Sequence, residues 1–131
     1  MKAISTDPLW AWAIMAGHRP IENWTEPIRY RGELAVHSEP RTEVTREIRE
    51  WFQRNTFWIP PPNDVVDGYA GRILGTVQLI GCSQPSLLLP SEQEFARGPW
   101  CLRLRTPQHF VRPIEHDPFI GFTDWSTQTA T

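Results

Sequence analysis

Gly17-His18-Arg19-Pro20-Ile21-Glu22-Asn23-Trp24 is the stretch on which the reading of this chain turns, because a helix stops at its first residue and an extended segment starts at its fifth. Upstream, Asp7-Pro8 supplies an N-cap and a favourable first helical residue for the apolar run Leu9-Trp10-Ala11-Trp12-Ala13-Ile14-Met15-Ala16, and Gly17 stops it. Lys2 to Ser5 forms a short strand ahead of this helix. Ile21 to Trp24 is extended, Arg29-Tyr30-Arg31-Gly32 is a basic turn, and Glu33 to His37 is a strand with a mostly apolar run.

Beyond this region the strongest helical signal lies at Glu43 to Arg54, where Val44, Ile48, Trp51 and Phe52 fall at i, i+4, i+7 and i+8 with Thr42 as N-cap. Phe57-Trp58-Ile59-Pro60-Pro61-Pro62-Asn63-Asp64 reads as a loop or lid, since successive prolines remove backbone donors. A strand is expected from Gly71 to Ile80, a short helix from about Ser91 to Arg97, and a half-buried strand from Trp100 to Arg105. That last strand alternates Trp100, Leu102 and Leu104 with Cys101, Arg103 and Arg105. Gly121 to Trp125 reads as a final strand and 126–131 as a frayed tail. Short strands, long connections and two or three outer helices predict one α+β domain over 1–131, a small mixed barrel whose closure avoids open edges.

The 131 residues carry 15 acidic and 13 basic side chains, a formal net charge of -2, so nucleic-acid contact would need a local basic patch. No stretch suits a membrane span, and the N-terminus lacks the layout of a secretory signal, which predicts a cytoplasmic protein with Cys82 and Cys101 reduced. Asn23-Trp24-Thr25 matches a glycosylation acceptor that has no meaning without secretion. Neither a dinucleotide glycine fingerprint nor metal-ligand spacing is present, so no cofactor and no metal site are expected, and the four histidines have no ligand-like arrangement. Nucleophile elbow, P-loop and Cys–His pair are also missing.

Trp10 to Ile14, Gly17 to Trp24, Arg29 to Gly32 and Leu34-Ala35-Val36-His37-Ser38 together resemble the ASCH family, a branch of the PUA-like barrels marked by a Gly-x-Lys-x-x-Glu-x-Arg run after a first helix. The resemblance continues through Gly71 to Leu79 and Gly98 to Leu102, over most of the chain. Arg19 replaces the family's lysine and Trp24 its closing arginine. The resemblance implies a PUA-like barrel with a cleft against the first helix for RNA, DNA or a nucleotide-like ligand. It also implies, as an alternative, a hydrolase that deacylates N4-acylcytidine or cuts RNA. Arginine stays protonated and carries protons poorly, so the exchange at Arg19 favours binding over catalysis.

Within that frame Arg19 donates to phosphate and Glu22 accepts from a base edge, or the two form an ion pair with no ligand. Gly17 either lets a ligand approach or only caps the helix. Trp10 and Trp24 stack on a base or pack in the core, whereas Trp12, Trp51 and Trp100 read as core. Arg29, Tyr30, Arg31, Arg103 and Arg105 form a basic patch or a solvated edge. His37 and Ser38 end a strand near the motif and contact ligand or are structural. For the hydrolase, Glu94 and Glu22 are the catalytic candidates, Glu94 because its place resembles a later family carboxylate. A third possibility is a protein-interaction module using the exposed aromatic loop from Phe57 to Asn63.

Overall fold

Asp7 opens the first helix as expected: its Oδ1 accepts from the Leu9 N–H at 2.8 Å, and Pro8 takes the first helical position of α1 (Pro8–Met15). The same carboxylate also fastens α1 to α2 (Glu43–Asn55), because Thr45 Oγ1 donates to Asp7 Oδ2 at 2.6 Å. Thr45 Oγ1 in turn accepts from the Thr42 N–H, and Thr42 Oγ1 accepts from Val44, a reciprocal cap on α2. This corrects one expectation of the apolar stripe. Thr45 is buried with Ile48 and Phe52, while Val44 is 53% exposed, since the cap turns position 45 inward.

The computed structural model describes residues 1–126, so the tail proposed for 126–131 lies, apart from Ser126, outside the described residues. Six strands form one mixed sheet: β1 (Lys2–Thr6), β2 (Ile21–Trp24), β3 (Gly32–Ser38), β4 (Arg72–Ser83), β5 (Trp100–Glu115) and β6 (Thr123–Asp124), in the order β2-β5-β4-β3-β1-β6. Only the β1–β3 pair is parallel, and its crossover carries α1. The sheet curls into a barrel around Ile4, Ile14, Leu34, Val36, Val77 and Leu102, with α1 contributing Ala11, Ile14 and Met15 to that interior. Its other side, Leu9 and Ala13, packs outward with Ile48, Phe52 and Phe95. An all-apolar helix fits here because both of its sides are covered. Gly75 permits the close packing of α1 on the sheet, since a Cβ there would collide with the Gln108 carbonyl and the Met15 methyl.

Hydrogen bonding does not run all the way round. β2 and β6 are the two ends of the ladder, and side chains bridge them: Trp24 meets Phe122 edge to face with centroids 6.0 Å apart, and Tyr30 meets Phe122 at 5.8 Å. The expected closure is therefore an aromatic seam on that side.

Other differences follow from local chemistry. α3 (Asn63–Asp67) starts straight after the prolines, with Pro62 in the N-cap position, so Asn63 and Asp64 are helical and not part of the loop. The helix expected at 91–97 shortens to α4 (Pro90–Gln93), preceded by a 3-10 turn at Pro85–Leu87. β5 runs ten residues past Arg105, through Pro107 and Pro113. Beyond Arg103 it has lost β2 as a strand partner, and a free edge tolerates residues that cannot donate.

Candidate functional site

The reversal after α1 puts Arg19 where it is. Gly17 adopts φ +80°, and the N–H groups of His18 and Arg19 both reach the Ala13 carbonyl, at 2.9 and 3.0 Å. The Pro20 carbonyl then accepts from Leu104 at 2.8 Å, which seats β2 beside β5. Arg19 is 3% exposed, and its guanidinium carbon lies 4.2 Å from the centroid of the Trp10 ring. Glu22 is 8% exposed, pairs across the sheet with Leu102 and shares the interior face of β2 with Trp24.

Arg19 Nη1 and Glu22 Oε2 stand 3.0 Å apart, yet their alignment makes no hydrogen bond. Arg19 Nε and Nη1 and Glu22 Oε2 are all buried without a hydrogen-bond partner in the protein, while Glu22 Oε1 accepts from the Asn23 N–H at 2.9 Å. Each buried polar atom left in this state costs about 1–3 kcal/mol relative to a satisfied one. Next to the pair is a pocket of about 100 Å³ lined by Gly17, Arg19, Pro20, Leu104, Arg105 and Thr106 among others. A bulge in β5 shapes its wall: two residues, Thr106 and Pro107, stand where β4 offers Val77 alone, and Thr106 takes φ +55°. Arg19 lines this pocket and Glu22 stands behind it, so the arrangement can offer guanidinium donors to one small polar group.

No family model and no curated protein sequence matches the chain. Solved structures do. The ASCH protein of Zymomonas mobilis superposes with a TM-score of 0.56 at 14% identity, over 98% of this chain and 90% of that one. A tyrosine-to-phenylalanine variant of the same protein gives 0.55 at 14% identity, over 98% and 92%. A serine-to-alanine variant gives 0.56 at 14%, over 98% and 90%. The fold is that of an ASCH domain.

The four motif positions of the ASCH resemblance sit together: Gly17 at the reversal, Arg19 and Glu22 as the buried pair, and Trp24 two residues along the same face of β2. Trp24 and Tyr30 are half-buried and enclosed by Phe122 in the seam. Trp10 is also half-buried, with Arg19 over its face and Trp51, Phe52 and Phe95 around it at 5.4–6.2 Å. Arg103 and Arg105 share one face of β5, but they converge on a carboxylate that sequence reasoning passed over. Glu92 is fully buried, and its Oε2 accepts from Arg103 Nε at 3.0 Å and from Arg105 Nη2 at 2.7 Å. Its Oε1 accepts from the Leu89 N–H at 2.8 Å. Burial pushes the Glu92 carboxyl up, but bonds to the two guanidiniums and to Leu89 outweigh this and hold it below its ordinary value.

Glu94, two residues on, is exposed at the end of α4, with its carbonyl taken by Arg97 at 3.2 Å. The local signal that favours Glu92 is the helix start: proline at the first position of α4 and a glutamate two residues later that reaches back to the preceding N–H. Arg29 and Arg31 are exposed on the β2–β3 connection, where Arg31 Nη1 binds the carbonyls of Ile28 and Tyr30, and neither joins the Glu92 cluster.

His37 and Ser38 are fully buried and saturated, so they do not open to the cleft. The His116 carbonyl accepts from His37 Nε2 at 2.7 Å, which leaves Nδ1 to accept from Ser5 Oγ at 2.9 Å, and Ser38 Oγ donates to the Glu39 carbonyl. Burial lowers the His37 pKa below its ordinary value. Cys82 packs in the interior cluster and Cys101 in the outer one, on opposite faces of the sheet, and both are free. Asn23 is spent locally: Oδ1 accepts from the N–H groups of Arg97 and Gly98, and Nδ2 donates to Phe95. Among the described residues no group of His, Cys, Asp and Glu is placed to hold a metal, and no helix is long and apolar enough to cross a membrane.

Proposed function

We propose that the cleft at Arg19 binds the phosphate of a nucleotide or of single-stranded RNA or DNA. One observation carries this reading: a side chain 97% buried, its guanidinium over Trp10, with Nε unbonded and Nη1 in a 3.0 Å ion pair that makes no hydrogen bond, beside a small open pocket. A phosphate oxygen entering that pocket supplies what the nearby carboxylate, misaligned, does not. Glu22 Oε2, the remaining unbonded acceptor, reads an amine or hydroxyl on the same ligand. Fluorescence anisotropy with labelled single-stranded RNA and DNA tests this. Arg19→Met should weaken binding about tenfold or more, and equal affinity of variant and wild type overturns the site.

A second reading is favoured by the same pair. Glu22 Oε2 lies 3.0 Å from Arg19 Nη1, so a hydrolase acting on N4-acylcytidine or RNA could use Glu22 to move the proton and Arg19 to stabilise the oxyanion. Glu22→Gln should then abolish turnover followed by mass spectrometry while leaving substrate binding in place. Glu94, the other candidate base, is exposed at the C-cap of α4, whereas Glu22 is buried beside Arg19.

A further inference from the structure

A second pocket lies on the other side of the end of α1, outside the cleft just described. It has a volume of about 280 Å³, just below the ~300 Å³ at which sites for drug-sized ligands begin. Trp12, Tyr69 and Phe110 supply aromatic walls, Met15 and Leu74 an apolar floor, and His109 a polar edge. No Asp, Glu, Lys or Arg lines it, so a charged ligand would lose its water without compensation. Two polar groups in the wall are unspent: among the described residues neither the Tyr69 hydroxyl nor the His109 ring has a hydrogen-bond partner in the protein. A small apolar chamber with aromatic sides and two groups able to donate or accept fits a flat, neutral, polar-edged ring.

We infer that this pocket is a subsite for an uncharged heteroaromatic ring of the nucleobase class. The inference rests on the nucleotide reading above and deepens it by separating ring from phosphate. The two pockets share the last turn of α1, Met15 and Ala16 facing one and Ile14 and Gly17 the other. On β5 they are set by Arg105 and by His109, which the bulge leaves facing Gln78 and Gly75 of β4, about 10 Å apart at the usual strand rise. A nucleoside therefore occupies the aromatic pocket without touching Arg19, and an oligonucleotide engages both.

The test is an NMR titration that follows the Trp12 indole N–H, assigned through Trp12→Phe, with cytidine, uridine and adenosine in one arm and a single-stranded RNA pentamer in the other. Ala16→Leu narrows the mouth from an exposed position and should weaken ring binding about tenfold, and Tyr69→Phe, which removes only the hydroxyl, about threefold. Arg19→Met should leave nucleoside affinity within about twofold while weakening the pentamer. Binding of the pentamer alone, still sensitive to Ala16→Leu, identifies the ring as part of a chain. If neither ligand moves the Trp12 resonance at millimolar concentration, or if Ala16→Leu changes nothing, the ring subsite is overturned. A loss of pentamer affinity in Arg19→Met alone would then leave the phosphate reading standing, and nucleoside binding with no Arg19 effect would do the reverse.

Discussion

Two buried carboxylates meet arginines in this protein, and they are opposites. Glu92 has a partner for both oxygens, and its two guanidiniums reach it from adjacent outward positions of one strand. Glu22 lies as close to Arg19, but one of its oxygens and two of the arginine's nitrogens are left without hydrogen bonds. A satisfied cluster ties α4 to β5 and has nothing left to offer a ligand. An unsatisfied one is a standing cost to the fold, the cost that the proposed phosphate ligand would relieve.

The largest effect that would break this contrast is on stability. Glu92→Ala removes three hydrogen bonds, two of them to charged donors, and should cost about 2–4 kcal/mol in urea unfolding. That figure is discounted because the side chains of Arg103 and Arg105 are 26% and 33% exposed and can turn to water. Replacing the other pair together, Arg19→Met with Glu22→Gln, should leave stability unchanged or raise it, by up to about 3 kcal/mol. A loss equal to that of Glu92→Ala would show the two clusters to be the same kind of brace.

Titration sharpens the comparison further. Because the folded-state pKa of Glu92 is lowered, its contribution is fully present above the ordinary value of 4.5 and is lost as pH falls through the lower folded value. In Glu92→Gln the acid limb of the stability profile should flatten. His37 acts in a milder window: its lowered pKa means that stability is full above 6.5 and declines as pH falls below it, until the folded imidazole also takes up a proton. Denaturation midpoints between pH 5 and 8 report this, and a flat profile would contradict the buried neutral imidazole. The smallest effect is on salt: an Arg19 cleft holding one or two phosphates predicts a log–log slope of RNA affinity against salt of only about -1 to -2.

Part of this was legible in the residues. Asp7-Pro8 and Gly17 bracket α1 because caps are local chemistry, and β2 is found with its bounds unchanged. Arg19 and Glu22, three residues apart, could be paired on paper. Alternation likewise put Arg103 and Arg105 on one face. The choice of Glu92 over Glu94 was half visible: the Pro90 start marks Glu92 as the capping residue, but which side of a one-turn helix faces β5 is set by the tertiary fold. Nor was the far half of β5, where prolines read as breaks unless the missing neighbour is known. His37 looked available beside the motif, yet its partners come from β1 and from the chain following β5.

The seam between β2 and β6 sets how this barrel breathes. Parting those two edges breaks ring contacts at Trp24, Tyr30 and Phe122 but no rung of the ladder. Amide exchange should therefore be graded around the circumference, slowest in β3 and β4, where both neighbours are paired, and fastest at β2 and β6. The strand that carries Glu22 would then sample open forms far more often than the molecule unfolds.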